Sequence, residues 1–524
     1  MELCLRAPIL SGATMRKYLL TIPCILLCFS LCLAQTPKTT IIQDNWDAAY
    51  LEGTRCGNFH STVKEIVQPD GTKHFETRLE MQLMLKRYKS VVAMKMDTEM
   101  VEDQEGKIKS FRMIQHLDKG QAIQEGEVKD GKLWLKVPGV AEPRALNWND
   151  KAIGVYKQEK LPLLMKAKVG TKFDYLNFEP SLMQTVRMQA ELFPKEEVDF
   201  LETDKKNPAK ATREKVGLMR YEVAPDKVTI FGSALQLPKM VSWVGDDFIP
   251  RRSVMELPGI GNIFLYRTTK EFAQKDDGDL AVLPDIGLNT MITLDKKIRD
   301  VHHREEVTYQ FKLENMEGAS AFTVDGRQKL KKLEDGWFEL KVLGNVGLEE
   351  KQPAKDFLDS SYFLESADAK VKELAAKAVG DETDELKKAR KIERFVFDNM
   401  KGSSSVGFAT AAQIAKDLQG DCRQHAMLMA AMCRAAGIPS RTALGLVYVE
   451  DSKTRTPQLG FHMWTEVYVQ NAWVGMDATL GEGVVGPGHL KISDHNWHDQ
   501  QTLAPLLPVI RVMGKVKIKV IDAK

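Results

Sequence analysis

The hydrophobic pattern changes period once along this chain, near Ser366. Before that point apolar positions recur at every second residue. Phe75, Thr77, Leu79, Met81, Leu83 and Leu85 alternate with Glu76, Arg78, Glu80, Gln82, Met84 and Lys86. That alternation predicts an antiparallel strand with one buried and one wet face. Further strands are expected at Lys132–Val137, Gly217–Val223, Lys227–Ala234 and Gly261–Thr268. Turns are expected at Pro69-Asp70-Gly71, Asp130-Gly131 and Asp276-Asp277-Gly278. A similar strand–turn–strand pattern near Val101–Met113 and Val244–Leu257 suggests an internal duplication. Residues 35–280 thus read as one large twisted sheet or partly open barrel, or as two copies of a smaller one. No recognisable chemistry lies within them.

A small β-sandwich-like unit is expected over 285–350. Val307, Tyr309, Phe311 and Leu313 alternate with polar residues, and Phe338, Leu340 and Val342 do so after the Glu334-Asp335-Gly336 turn. After Ser366 the spacing becomes helical. Ala367–Val379 is a helix closed by Gly380, and Asp384–Met400 is an amphipathic helix with Leu386, Ile392, Phe395 and Val396 inward. Thr410-Ala411-Ala412-Gln413 has the form of a capping box, so a third helix begins after Thr410 and ends near Gly420. The run Ala426–Met432 predicts a buried helix, stopped by Gly437 and kept from resuming by Pro439. Strands follow at Arg441–Val449, Phe461–Val469 and Trp473–Asp477, and a C-terminal strand tail occupies 501–524.

Composition bounds the compartment and the partners. Arg16-Lys17, the apolar stretch Tyr18–Leu33 and the small residues around Ala34 form a signal peptide over 1–34, with Met15 as an alternative start. The stretch is short for a membrane anchor, so cleavage before Gln35 and a secreted or periplasmic location are expected, with no stable span afterwards. Of the 74 basic and 72 acidic residues, that segment removes Arg6, Arg16, Lys17 and Glu2, leaving 71 of each. A near-zero net charge argues against binding nucleic acid through bulk charge. Four of the seven cysteines, Cys4, Cys24, Cys28 and Cys32, also leave with it. Cys56, Cys422 and Cys433 remain, too few for a disulfide framework even in an oxidising compartment. A reactive role for one thiol becomes correspondingly plausible.

Cys422 is the candidate. It stands just before the buried helix, where unpaired backbone N–H groups and the macrodipole favour thiolate over thiol. Two downstream strands supply partners for it. If Gln470-Asn471 forms a two-residue hairpin loop, Val469 faces Ala472 and Trp464 faces Asp477. His462, two residues from Trp464, then shares a face with Asp477 as its diagonal neighbour. A carboxylate so placed fixes the imidazole tautomer, and the imidazole can take the thiol proton.

The strings Gly420-Asp421-Cys422, Cys433-Arg434-Ala435-Ala436-Gly437-Ile438-Pro439-Ser440-Arg441, Gly460–Val469 and Trp473–Thr479 resemble the core of the transglutaminase-like superfamily. The resemblance covers roughly 365–500, so a catalytic domain is placed at 360–500. It implies an α+β papain-like core at the C-terminus, preceded by predominantly antiparallel β domains. It also implies a Cys422–His462–Asp477 triad that attacks an amide, forms an acyl-enzyme and passes the acyl group to an amine or to water. The substrate would be a peptide or protein amide, and no cofactor is called for. The family includes cross-linking enzymes, peptidases, amidases and non-catalytic relatives. A binding or scaffold protein of the cell envelope is therefore the second reading, and envelope-peptide processing within a larger assembly the third.

Other candidates weigh less. The Cys422 backbone N–H is one oxyanion donor, and Gln413 a second, though its capping-box position favours a structural role. Trp464, on the His462 face, is a candidate wall of the substrate groove. Cys433 reads as core and Cys56 as a plain thiol. The Cys422-x-x-His425 spacing lacks the second ligand pair of a zinc site, so no metal is expected. His302-His303, and His495 with His498, read as surface residues. The glycines between Gly481 and Gly488 form a loop at the site rim or a plain connection.

Overall fold

The computed structural model describes residues 36–136, 143–230, 233–257, 260–275, 278–314, 321–344, 348–349, 352–404 and 407–524. The signal peptide expected over 1–34 and Asp276-Asp277 of a predicted turn lie outside the described residues.

The alternating segments between Lys38 and Thr268 join one 15-stranded sheet. Its first strand, Lys38–Leu51, pairs with Thr54–Val67 on one side and with Gly261–Thr268 on the other. The two edges, Arg144–Asn147 and Ala152–Ile153, are consecutive in the chain. The short link between them can span at most about 17 Å, so the sheet curls back towards itself as an incomplete barrel. Two of its strands matter for the site, β1 (Lys73–Arg87) and β2 (Ser90–Asp103). They pair from His74 and Asp103 to Arg87 and Ser90, and Tyr88-Lys89 turn the hairpin with φ of 46° and 68°. Two consecutive left-handed residues match the right-handed twist of the flanking strands.

Two expectations change here. Gly217–Val223 is part of the C-terminal half of a longer strand, Asn207–Pro225. Lys227–Ala234 is not one strand, because Val228–Ile230 folds back on Ser233–Leu235. That hairpin buries Val228, Ile230 and Leu235 with Val186 in a satellite cluster, which one extended strand would leave bare.

The unit after 285 is not a self-contained sandwich. Four strands form one sheet in the order Gln328–Lys332, Trp337–Leu343, Glu306–Leu313, Val516–Ala523. The chain therefore returns at its C-terminal end to pair Val516–Ala523 with Glu306–Leu313. The apolar face, with Val307, Tyr309, Phe311 and Leu340, packs against Leu446, Tyr448, Leu459 and Leu490 of the next sheet. One core thus serves both sheets.

The C-terminal α+β part begins with α1 (Ala369–Val379), capped by Asp368, and α2 (Glu385–Asn399), capped by Asp384. Then come α3 (Ala411–Asp417) and α4 (Cys422–Ala435). Every residue of α4 from Gln424 to Arg434 is buried, so it is the hub on which the other three helices pack. Each fully buried Met or Leu there contributes about 1.5–3 kcal/mol. Against α4 lies a sheet of β3 (Ser440–Glu450), β4 (Pro457–Val469), β5 (Ala472–Met476) and β6 (His489–His495). Thr465 Oγ1 donates to Ala426 O at 3.0 Å and Ser440 Oγ to Ala430 O at 2.8 Å, riveting sheet to helix.

Candidate active site

The N-terminus of α4 is built by a capping box, though not the one expected at Thr410. Asp421 accepts from the Arg423 N–H at 3.0 Å, and the Gln424 side chain accepts from the Asp421 N–H at 3.0 Å. Gly420 is held at φ +152°, where a Cβ would come within 2.4 Å of Gln424 Cβ. A larger residue would push the cap open. Cys422, the first residue of α4, is half-buried.

β4 and β5 hold the partners in the expected register. Val469 faces Ala472 and Thr465 faces Met476. Just past that pair, His462 Nε2 lies 2.7 Å from Asp477 Oδ2. A carboxylate only accepts, so Nε2 carries the hydrogen and Nδ1 is left for the thiol. The Cys422 thiol acts on the same imidazole. Burial alone would lower His462, but Asp477 and Cys422 outweigh it and raise it well above 6.5. For Asp477, too, burial opposes the charge, yet His462 and His489 hold it well below the usual carboxylate range. Its other oxygen accepts from the Thr479 N–H at 2.8 Å.

The structure thus brings Cys422, His462 and Asp477 together from one helix terminus and one hairpin. Residues 372–478 match the family model of the transglutaminase-like superfamily.

This segment is transglutaminase-like.

No curated protein matches the chain. Among solved structures, a candidate cysteine protease from Cytophaga hutchinsonii is 18% identical over 43% of this chain and 85% of its own, with a TM-score of 0.25. The periplasmic domain of TgpA from Pseudomonas aeruginosa, bound to ethylmercury, is 13% identical over 36% of this chain and 89% of its own, with a TM-score of 0.26. A β-barrel-like protein of a domain of unknown function from Brucella abortus is 13% identical over 45% of this chain and 96% of its own, with a TM-score of 0.30.

Two expected residues of the transglutaminase-like segment stand elsewhere. Gln413 makes no capping box, since Thr410 has no side-chain cap bond. Gln413 donates instead to Asp417 Oδ2 at 2.6 Å, which turns it along its own helix. Trp464 is 0% exposed and cannot line an open groove. Its ring stacks 6.4 Å from His462 and meets His489 edge-on at 5.2 Å, so it walls the imidazoles from behind. Gly445, opposite His462 on β3, makes room for it. A Cβ there would meet Leu490 O at 2.0 Å and the Trp464 ring at 2.9 Å.

His489, on β6, escaped the sequence reading. It is fully buried, and its Nε2 lies 3.0 Å from Asp477 Oδ2. Burial lowers it to about 4, so it is neutral at pH 7 and donates that hydrogen. Of the residues read as surface histidines, His303 is exposed, whereas His302 and His495 are partly buried. His302 is half-buried and meets His489 edge-on at 5.3 Å. His495 accepts from the Trp497 N–H at 2.7 Å and is lowered to about 4 by burial. His425 is buried, with Nδ1 2.8 Å from Asp421 O.

His462, Asp477 and His489 bring their ligand atoms within 4.8 Å of one another, near enough to share a metal ion. Both Nε2 atoms are already engaged by Asp477, and a metal there would displace the bond that orients His462. Cys433 is fully buried and pushed far up by burial, and Cys56 is pushed up to about 11. Neither is poised to ionise. Beneath the site, buried Lys491 meets Glu466 Oε2 at 2.9 Å, and Arg441 meets the same oxygen at 2.7 Å. These charges are paired and lock β3, β4 and β6 together.

Proposed function

We propose that this protein is an exported, cysteine-dependent acyl-transfer enzyme acting on amide bonds. The Cys422 proton passes to His462 Nδ1, which gives a thiolate beside an imidazolium, and the thiolate attacks the carbonyl carbon. His462 then protonates the leaving amine, which departs and leaves a thioester on Cys422. Water or a second amine, deprotonated by His462, attacks the thioester and frees the thiol. Asp477 holds the imidazole in the required tautomer and stabilises its charged form. The Cys422 backbone N–H, at the start of α4, is the candidate oxyanion donor. The α4 nucleophile facing an antiparallel sheet fits a papain-like α+β core.

The observation that carries this reading is His462 bonded to an Asp477 that is 0% exposed, with the half-buried Cys422 thiol acting on the same imidazole. Hydrolysis of a peptide or related amide is proposed ahead of deliberate cross-linking. The apolar leader supports an envelope or secreted location. No helix among the described residues is long and apolar enough to cross a membrane. The second reading, an envelope binding or scaffold protein with an unused triad, draws on the size of the curled β region.

Labelling with iodoacetamide separates the two. Preferential alkylation of Cys422 in the mature protein, lost in His462→Ala, supports acyl transfer. Equal, slow alkylation of Cys56, Cys422 and Cys433 supports the scaffold reading. Adding a labelled primary amine with an amide substrate then divides transfer, which incorporates label, from hydrolysis, which releases unlabelled acid.

A further inference from the structure

The curled β region has no chemistry of its own in the sequence, yet its β1–β2 hairpin reaches the nucleophile. The turn at the tip is clasped by Asp285, which accepts from the Tyr88 N–H at 2.8 Å and the Lys89 N–H at 2.6 Å. On the catalytic side, Ser90 Oγ meets Ser404 Oγ at 2.7 Å. Arg87 Nη1 donates to Asp421 Oδ2, on the residue that caps α4 immediately before Cys422.

Asp421 has two opposed effects. An anionic cap suits a helix N-terminus. The same charge sits one residue before Cys422, where it opposes a thiolate. Two guanidiniums offset it. Arg423 donates Nε to Oδ1 at 3.0 Å and Nη2 to Oδ2 at 2.9 Å, and Arg87 supplies the second. Burial pushes the Asp421 carboxyl up, but Arg423 and Arg87 outweigh it, and it stands at about 2. Cys422 also acts electrostatically on both Arg87 and Tyr88. Arg423 comes with the helix, whereas Arg87 comes from the β region. Without Arg87, Asp421 keeps one guanidinium and the field at Cys422 becomes more negative.

We propose that Arg87 is a positioning residue for Cys422. Acting through Asp421, it fixes the N-terminus of α4 and offsets the charge of the cap, which makes the β region part of the reacting unit. The inference rests on Cys422 being the reacting thiol.

The test measures the iodoacetamide rate at Cys422 by peptide mapping, between about pH 5 and 9, in the full chain. Wild type is compared with Arg87→Gln, Arg87→Lys, Ser90→Ala and His462→Ala, with a thermal melt of each. Arg87→Gln is expected to react about ten-fold more slowly at neutral pH, with its rate profile displaced to higher pH. Arg87→Lys restores most of the rate. Ser90→Ala cuts the neighbouring hydrogen bond without touching Asp421 and keeps the wild-type rate. The Lys rescue and the Ser90 control keep the result readable if Arg87→Gln melts early. An Arg87→Gln profile equal to wild type, or equal losses in Arg87→Gln and Ser90→Ala, overturns the proposal while wild-type selectivity for Cys422 leaves the acyl-transfer reading standing. Wild-type labelling no faster at Cys422 than at Cys56 overturns both.

Discussion

His489 Nε2 lies 3.0 Å from Asp477 Oδ2, on the same oxygen that holds His462 at 2.7 Å. Asp477 therefore orients one histidine while a second histidine and the Thr479 N–H orient it. Replacing His489 by alanine removes a donor from a buried carboxylate and opens a void behind Trp464. Such a change costs about 1–3 kcal/mol. His489→Ala is expected to unfold at lower urea and to slow Cys422 alkylation less than His462→Ala does. Unchanged stability would remove His489 from the set that holds Asp477.

Asp477→Asn tests the orienting carboxylate while keeping its shape. An amide can present its NH2 to Nε2, which favours the opposite imidazole tautomer and places a hydrogen on Nδ1, facing the thiol. Turnover of an amide substrate is expected to fall by about 10³–10⁴-fold, with the fold retained by circular dichroism. A loss under ten-fold would mean that the tautomer is fixed by something other than Asp477.

Four titrations in and around the site bear on stability. His462 is raised on folding, so its contribution is complete below about 6.5 and is lost as pH rises through its folded value. Asp477 is depressed, so its contribution is complete above about 3.9 and is lost as pH falls through its folded value. His489 is buried neutral and lowered to about 4. It therefore withdraws stability as pH falls from about 6.5 to about 4, at up to about 1.4 kcal/mol per pH unit. His495, also lowered to about 4, acts in the same window. Between about pH 6.5 and 4 the urea midpoint is expected to fall less steeply in His489→Ala than in wild type. Equal slopes in the two proteins contradict the His489 assignment.

The hairpin register was legible because a two-residue loop and period-2 alternation leave one solution, and Val469 opposite Ala472 follows from it. α4 was legible for a different reason, since an apolar run ended by glycine and proline has little choice. His489 was not, because His489-Leu490-Lys491-Ile492 alternates like a strand with a wet face. The second sheet packs on Leu490 and Ile492, while Asp477 and Glu466 meet His489 and Lys491, so both faces are buried. Arg87 was invisible for a third reason: nothing local links a strand end to a helix cap so far along the chain. Trp464 was placed on the correct face, but strand register does not say how deep a residue lies.

Gly445→Ala probes the packing behind the imidazoles. Its Cβ would stand 2.0 Å from Leu490 O and 2.9 Å from the Trp464 ring, so β3 and β6 must separate and Trp464 must shift. Overpacking of this kind costs about 1–3 kcal/mol. A lower melting temperature and slower Cys422 alkylation are expected together, because Trp464 stacks on His462. Wild-type behaviour in both would show that the site tolerates movement of that wall.

The decisive measurement is intact-mass analysis of the mature protein after brief reaction with p-nitrophenyl acetate, followed by peptide mapping. Acyl transfer through Cys422 gives one acetyl group per chain, on Cys422, released by neutral hydroxylamine as a thioester should be. It is absent in Cys422→Ala and forms slowly in His462→Ala. Acetyl groups scattered over lysines and resistant to hydroxylamine, with none on Cys422, would contradict a cysteine-dependent acyl-enzyme.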